Sequence, residues 1–440
     1  MHITSTMGSK YKQYTRAVKR TGTALLVAGV FASPLAFTGA VGAAPVFTEY
    51  PIPTQNANGA DATTGPDGAM WFSERGVGKI GRTTTAGVTT EYTIPSPHSS
   101  PVGITTGPDG AVWFAESDGG NVGRITTGGT FTEYPLPSGA SPTDVVTGPD
   151  GNIWFSTWTW GAGKVDISTG TVTEYSARTG SNAPQMRAIT TGPDGALWAT
   201  EESQNSLDRF DTSGNLTRYP ITNGMVNAAD IITGPDGALW FTSSSGGSIG
   251  RFDMTTHAQT SFTTDEPYYI PEMTIGTDGA LWFTEVGANK LGRLTTAGAY
   301  SSYSVPSRTS PYGITVGSDN ALWYTQYGGD KVGRALVNHA PIVNITNPGA
   351  NSTVSGTVNI TGTINSNSPY NVQLYVFNSA GQSVAAKYQY AVPDSTTGYG
   401  YSWDTTAVPN GNYTVYLSAR DAQGNKDAGS TSTVHVTVQN

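Results

Sequence analysis

The sequence predicts an all-β chain: a seven-bladed β-propeller followed by an immunoglobulin-like β-sandwich. Two observations carry the propeller and one the sandwich. The unit Gly107-Pro108-Asp109-Gly110-Ala111-Val112-Trp113-Phe114-Ala115-Glu116 returns with its tryptophan at Trp71, Trp113, Trp154, Trp198, Trp240, Trp282 and Trp323. The gaps between these are 42, 41, 44, 42, 42 and 41 residues, and a period in the low forties, built from turns and short apolar runs, means one four-stranded blade per repeat. From about Pro341 the repeat stops and the composition shifts towards Asn, Thr, Ser and Val, over a length that suits one sandwich.

Each part of the repeat has a physical reading. In Pro108-Asp109-Gly110 the proline fixes φ, the aspartate bonds local backbone and the glycine takes φ > 0, which makes a hairpin turn. Six repeats end this turn in Asp-Gly and the seventh in Asp319-Asn320. The run Ala280-Leu281-Trp282-Phe283-Thr284 is apolar on both faces, so it needs cover on both sides, as a strand inside a blade has. Four strands fit each repeat, in the second blade at 102–106, 111–115, 121–126 and 130–134. The third strand carries Arg82, Arg124, Arg209, Arg251, Arg293 and Arg334, which reads as a repeated ion pair to the turn aspartate or to an outer-strand glutamate such as Glu133. The outer-strand pattern first appears in Val46-Phe47-Thr48-Glu49-Tyr50-Pro51, while the last repeat stops after three strands near Lys331-Val332-Gly333-Arg334. The N-terminal strand is therefore expected to complete the last blade, closing the ring and removing a free edge.

Residues 1–44 read as an export signal, with an uncleaved membrane anchor as the alternative: Lys10, Lys12, Arg16, Lys19 and Arg20, then an apolar stretch containing Pro34, then Val41-Gly42-Ala43-Ala44,. The expected division is thus 1–44 signal, 45–337 propeller and 338–440 sandwich, with the mature protein secreted after cleavage near Ala43 and Ala44. Without those five basic residues, 18 of the 23 remain against 32 acidic ones. An acidic surface without basic clusters argues against nucleic acid and against anionic membranes as partners. The chain has no cysteine, so disulfides, thiol nucleophiles and cysteine metal sites are excluded and stability must come from core burial. In the C-terminal part, strands are expected at 342–345, 354–361, 372–377, 383–390, 400–403, 413–420 and 431–438, with Tyr413 after Pro409-Asn410-Gly411 as a tyrosine corner.

The repeat resembles the streptogramin lyase (virginiamycin B lyase) family. The resemblance rests on Ser310-Pro311-Tyr312-Gly313-Ile314-Thr315 with Asp319-Asn320-Ala321-Leu322-Trp323, on Lys290-Leu291-Gly292-Arg293 and on Thr132-Glu133-Tyr134-Pro135. It covers residues 46–337, while the C-terminal part resembles the Ig-like modules of secreted bacterial proteins. The family resemblance implies a propeller that opens a cyclic depsipeptide by elimination at its ester, with Mg²⁺. It also implies a histidine in each of two neighbouring blades, eleven residues before the blade tryptophan, and a glutamate two residues before one of them. Here those seven positions hold Ala60, Val102, Thr143, Arg187, Ala229, Pro271 and Tyr312, and the earlier ones hold Asn58, Ser100, Ser141, Gln185, Asn227, Tyr269 and Ser310. No catalytic residue carries over.

Other groups collect on that face. Asp61, Asp144, Asp230 and Glu272 come one residue further along their inner strands, and Glu74, Glu116, Glu201 and Glu285 follow three residues after their tryptophans. Carboxylates at Asp61, Asp144, Asp230 and Glu272 are candidates for holding Mg²⁺ or Ca²⁺, which want several oxygens at once. A solvated acidic rim is the alternative. Trp158 and Trp160 form an insertion in the third blade; Tyr268, Tyr269, Tyr312 and Tyr327 flank inner strands, and His98 lies in a loop reaching the same face. Together with Arg187 they are candidate contacts for a small molecule, glycan or peptide, in a chain expected to be monomeric. Two functions stay open: a secreted binding protein on a lyase scaffold, or a Mg²⁺-dependent carbon–oxygen lyase with displaced catalytic groups around His98 and Glu272.

Overall fold

The computed structural model describes residues 45–180, 182–266, 269–337, 342–365, 370–392, 397–421 and 431–440. The expected export signal, Tyr268 and His339 lie outside the described residues. Residues 45–337 form seven four-stranded antiparallel sheets. In the second, Pro101–Thr106, Ala111–Glu116, Asn121–Thr126 and Phe131–Pro135 run from the centre of the ring outwards. The second strand of every blade is buried along its whole length, because a neighbouring blade covers each of its faces.

Ring closure follows the expectation. Val46–Pro51 is the outer strand of the last sheet, with Val46 opposite Leu336 and Pro51 opposite Lys331. Glu49 reinforces the closure by accepting from Lys331 Nζ (2.9 Å), Gln326 Nε2 (2.9 Å) and the Ser307 amide (2.9 Å). Burial works against its charge, but Ser307 and Lys331 outweigh it and hold its pKa at about 2. The corresponding glutamates of other outer strands tie neighbouring blades together. Glu91, Glu133 and Glu174 accept from the amides of Thr54 (3.1 Å), Ser96 (3.0 Å) and Ser138 (2.8 Å).

The third-strand arginines therefore choose the turn aspartate. Around Trp113, Asp109 Oδ1 accepts from the indole Nε1 at 3.0 Å and Oδ2 from Arg124 Nε at 2.6 Å. The same clasp recurs in all seven blades, with Lys164 in place of arginine in the third. The outer strand adds an aromatic ring against the indole, such as Tyr134 with centroids 5.2 Å apart. Gly107 is needed where the turn meets this indole, since a Cβ there would lie 2.5 Å from Trp113 Cδ1.

Inner strands of adjacent blades are joined by side chains rather than by a sheet ladder. At the turn end, threonine hydroxyls reach the preceding inner strand: Thr106 to the Thr64 carbonyl (2.7 Å), Thr147 to Thr106 (3.0 Å), Thr191 to Thr147 (2.9 Å) and Thr233 to Thr191 (2.8 Å).

The C-terminal part is a two-sheet sandwich. Ile342–Asn347, Thr357–Asn365 and Thr397–Asp404 make one sheet; Ser352–Val354, Thr431–Val438, Gly411–Asp421, Tyr370–Asn378 and Ser383–Val392 make the other. The stretch expected as one strand at 354–361 is divided between them. Gly356 takes φ +66°, and before it Ser352–Val354 pairs in parallel with Thr431–Val438. Tyr413 is the expected tyrosine corner, its hydroxyl donating to the Pro409 carbonyl at 2.8 Å. Among the described residues no helix is long and apolar enough to cross a membrane.

Candidate functional site

The blades present their turns at one end of the ring and the beginnings of their inner strands at the other. In the first blade Thr64 faces Met70 beside the turn and Gly59 faces Glu74 at the far end. At that far end the inner strands of six blades slip register, between Gly59 and Ala62, for example, or between Met186 and Ile189. A bulge re-aims the side chain at its centre, and here a cavity of about 600 Å³ opens among the residues so presented.

Asp61, Asp144, Asp230, Glu272, Trp158, Arg187, Tyr269 and Tyr312 all line this cavity. His98 and Trp160 do not. His98 is exposed in its loop at φ +59°. Trp160 packs against the hydrophobic cluster around Trp113 and Phe155, with Arg178 over its ring at 5.2 Å.

The inner-strand acids act as latches between blades. Asp61 accepts from the Ala62 amide (2.5 Å) and, across to the next blade, from the Ile104 amide (2.7 Å). Asp144 bonds Val145 (2.8 Å) and Ile189 (2.9 Å), and Asp230 bonds Ile231 (2.7 Å) and Met273 (2.7 Å) in the same way. Glu272 is placed to accept from Ile314 at a longer 3.4 Å. In two of the three blades without the acid, glycine makes room for the neighbour: a Cβ on Gly103 would meet Asp144 Oδ1 at 2.3 Å, and one on Gly313 the Ala60 carbonyl oxygen at 2.3 Å.

Burial controls their charge. It raises the pKa of Asp230 to about 7 against the two amides that favour the anion. Burial, then the charge of Asp61, raise Asp144 well above the usual range. Glu272 is raised well above it by burial and by the charge of Asp61. The second-strand glutamates never reach the cavity. Glu74, Glu116, Glu201 and Glu285 are fully buried, and burial raises Glu74 to about 9, with Glu91 opposing its ionisation.

The polar and aromatic wall lies to one side. Arg187 stacks over Trp158 at 5.3 Å and donates from Nε to Glu202 Oε2 at 2.5 Å. Burial opposes its charge, but Glu202 more than compensates. The hydroxyls of Tyr269 and Tyr312 are 3.1 Å apart, and Tyr312 packs on Tyr327 with ring centroids at 5.4 Å. Arg75, Ser117 and Asp118 also line the cavity and were not foreseen. For Arg75 and Ser117 the available signal is their offset: with Trp158, Glu202 and Tyr327 they stand four residues after a blade tryptophan.

The family model described as the virginiamycin B lyase family matches residues 38–186 and 226–358, more than half of the chain. The chain belongs to the virginiamycin B lyase family. A bacterial Ig domain model matches residues 341–416. Among solved structures, a streptogramin B lyase is 30% identical, with TM-score 0.61, covering 67% of this chain and 98% of that one. The virginiamycin B lyase from Staphylococcus aureus is 32% identical, with TM-score 0.60, covering 66% and 99%. A catalytically inactive histidine-to-alanine variant of that enzyme with quinupristin is 31% identical, with TM-score 0.61, covering 66% and 99%. No curated protein matches the chain.

Within this virginiamycin B lyase-family propeller, all seven residues at the histidine positions line the cavity, and among the described residues no histidine lines it. Among the described residues His257 packs on Tyr219 and Phe252, and His435 bonds Thr414. The acids expected as Mg²⁺ or Ca²⁺ ligands do not fit that role. Three of them give both oxygens to backbone amides, and among the described residues no group of three or more His, Cys, Asp or Glu side chains is arranged to hold a metal ion.

Proposed function

We propose that the protein is an exported, ligand-binding member of the virginiamycin B lyase family that does not perform the family's elimination. The observation that carries this reading is the cavity wall, where Arg187 and Tyr312 stand at histidine positions among Trp158, Tyr269 and Tyr327. Removing a proton α to a carbonyl needs a base held within reach of that proton. Asp61, Asp144 and Asp230 are poor candidates, since both oxygens of each are engaged by backbone amides. A partly apolar cavity with a few convergent polar groups is what binding a small ligand needs.

The test is incubation of the purified protein with a type B streptogramin and Mg²⁺, followed by mass spectrometry, alongside calorimetric titration of the same antibiotic. The expected result is an unchanged mass. Steady conversion to the ring-opened product, abolished by EDTA, would overturn the reading and restore the lyase with displaced groups. Export is tested by N-terminal sequencing of protein recovered from the culture medium, with a start near Pro45 expected.

A further inference from the structure

The overall charge of the chain points to cationic ligands, but the cavity groups that remain uncommitted point the other way. Asp61, Asp144 and Asp230 have turned their oxygens to backbone amides. Arg187, by contrast, uses a single nitrogen. Its Nε donates to Glu202 while the guanidinium sits over Trp158, 5.3 Å from the ring centroid, and among the described residues Nη1 and Nη2 have no protein partner. A planar guanidinium held by a carboxylate on one edge and an indole beneath offers its other edge as a two-pronged donor. Beside it stand the Tyr269 and Tyr312 hydroxyls. They are bonded to each other at 3.1 Å, so one O–H serves the pair and the other is left to give,. Arg75 lines the same cavity, and among the described residues its side chain is held by one long Nε contact, to Ser100 Oγ at 3.4 Å.

We infer that the mouth binds a small carboxylate on an aromatic or apolar body, with the carboxylate on the free edge of Arg187 and a tyrosine hydroxyl, and the body against Trp158, Tyr312 and Tyr327. Arg75 adds a second positive charge at the rim. Glu202 sets the strength of the site by partly neutralising Arg187. Burial raises Asp144, Asp230 and Glu272 above the usual carboxylate range, which lessens the repulsion that their formal charges suggest. The inference rests on the proposal that the mouth is a ligand site and adds the chemical class of ligand.

The experiment is calorimetric titration of the whole protein with N-acetylphenylalanine, with its uncharged amide and with phenethylamine. The acid is expected to bind best, with the amine unbound. Arg187→Gln should weaken the acid roughly tenfold or more, and Glu202→Gln should strengthen it a few-fold, because the first removes the donor fork and the second removes its competitor. These opposite directions are not those of two variants that merely damage the same fold, and melting curves of both identify any that fail to fold. If acid and amide bind equally, and both weaken in Trp158→Ala, the mouth is a ligand site but the charge preference is wrong. If none of the three binds while a streptogramin does, the carboxylate inference falls and the proposed function stands. If nothing binds, both fall.

Discussion

The two ends of the propeller treat repetition in opposite ways. At the turn end all seven blades build one clasp, with aspartate holding a tryptophan Nε1 and a basic side chain from the third strand. At the mouth the same position holds alanine in two blades and valine, threonine, arginine, proline and tyrosine in the others. The carboxylates differ as well. Clasp aspartates are partly exposed; burial pushes their pKa up, but the indole and the arginine outweigh it and lower Asp67, Asp109 and Asp194. Mouth acids line the cavity with, among the described residues, no basic side chain paired to them, and desolvation raises them. The difference teaches how a repeat fold separates stability from recognition: identical interactions are pooled at one end, and the other end is left free to vary.

The largest effect that would break this comparison comes from the clasp. Trp113→Ala removes a fully buried indole and leaves Asp109 short of a donor, at a cost of about 3–5 kcal/mol in denaturant unfolding. A loss no greater than that of a mouth substitution would show that the clasp is dispensable.

The next effect is in pH. Raised acids such as Asp230, Glu116 and Glu285, each at about 7, bind protons more tightly folded than unfolded. Their contribution is full below the unfolded pKa of about 4 and is lost as pH rises through about 7. Lowered clasp aspartates contribute above about pH 4 and lose their share as pH falls further. The melting temperature should therefore be highest near pH 5, falling by a few degrees towards pH 8 and again below pH 4. A flat profile from 5 to 8 would mean the inner acids are charged.

Smaller still is Arg124→Ala, expected to cost about 1 kcal/mol, because its ion pair is partly exposed and solvent screens it. The mouth should give the smallest change. Trp158→Ala is expected to alter stability by about 0.5 kcal/mol or less, measured by thermal melting, while removing ligand binding.

Much of this was legible in the sequence because it is written seven times. A repeated arginine ion pair follows from Arg82, Arg124 and their counterparts recurring at a fixed offset from the tryptophan, with the choice of aspartate over glutamate left to the structure, and the closing strand follows from a pattern that starts early and ends short. Tyr413 was readable from its turn. The mouth was readable by position but not by partner. A single repeat says that Asp61, Asp144 and Asp230 occupy one place. It does not say that a bulge carries them across to an amide of the next blade, so they resembled cation ligands. Trp158 and Trp160 looked alike in the sequence, yet one faces the cavity and the other packs on the Trp113 cluster. Division of the expected strand at 354–361 depended on the single φ of Gly356.

The closing strand also fixes the order in which the molecule is completed. Val46 leaves the ribosome first among the propeller residues, yet its partner Leu336 is made last of them. Almost the whole propeller must be synthesised before its last blade gains a fourth strand. That pairing has a sequence separation close to the largest the propeller allows, so it carries a loop-closure cost that the local hairpins avoid. Until then both the N-terminal strand and the strand at Lys331–Leu336 present unpaired edges. Six blades are built from hairpins of consecutive strands, whereas the last joins the two ends of the propeller sequence.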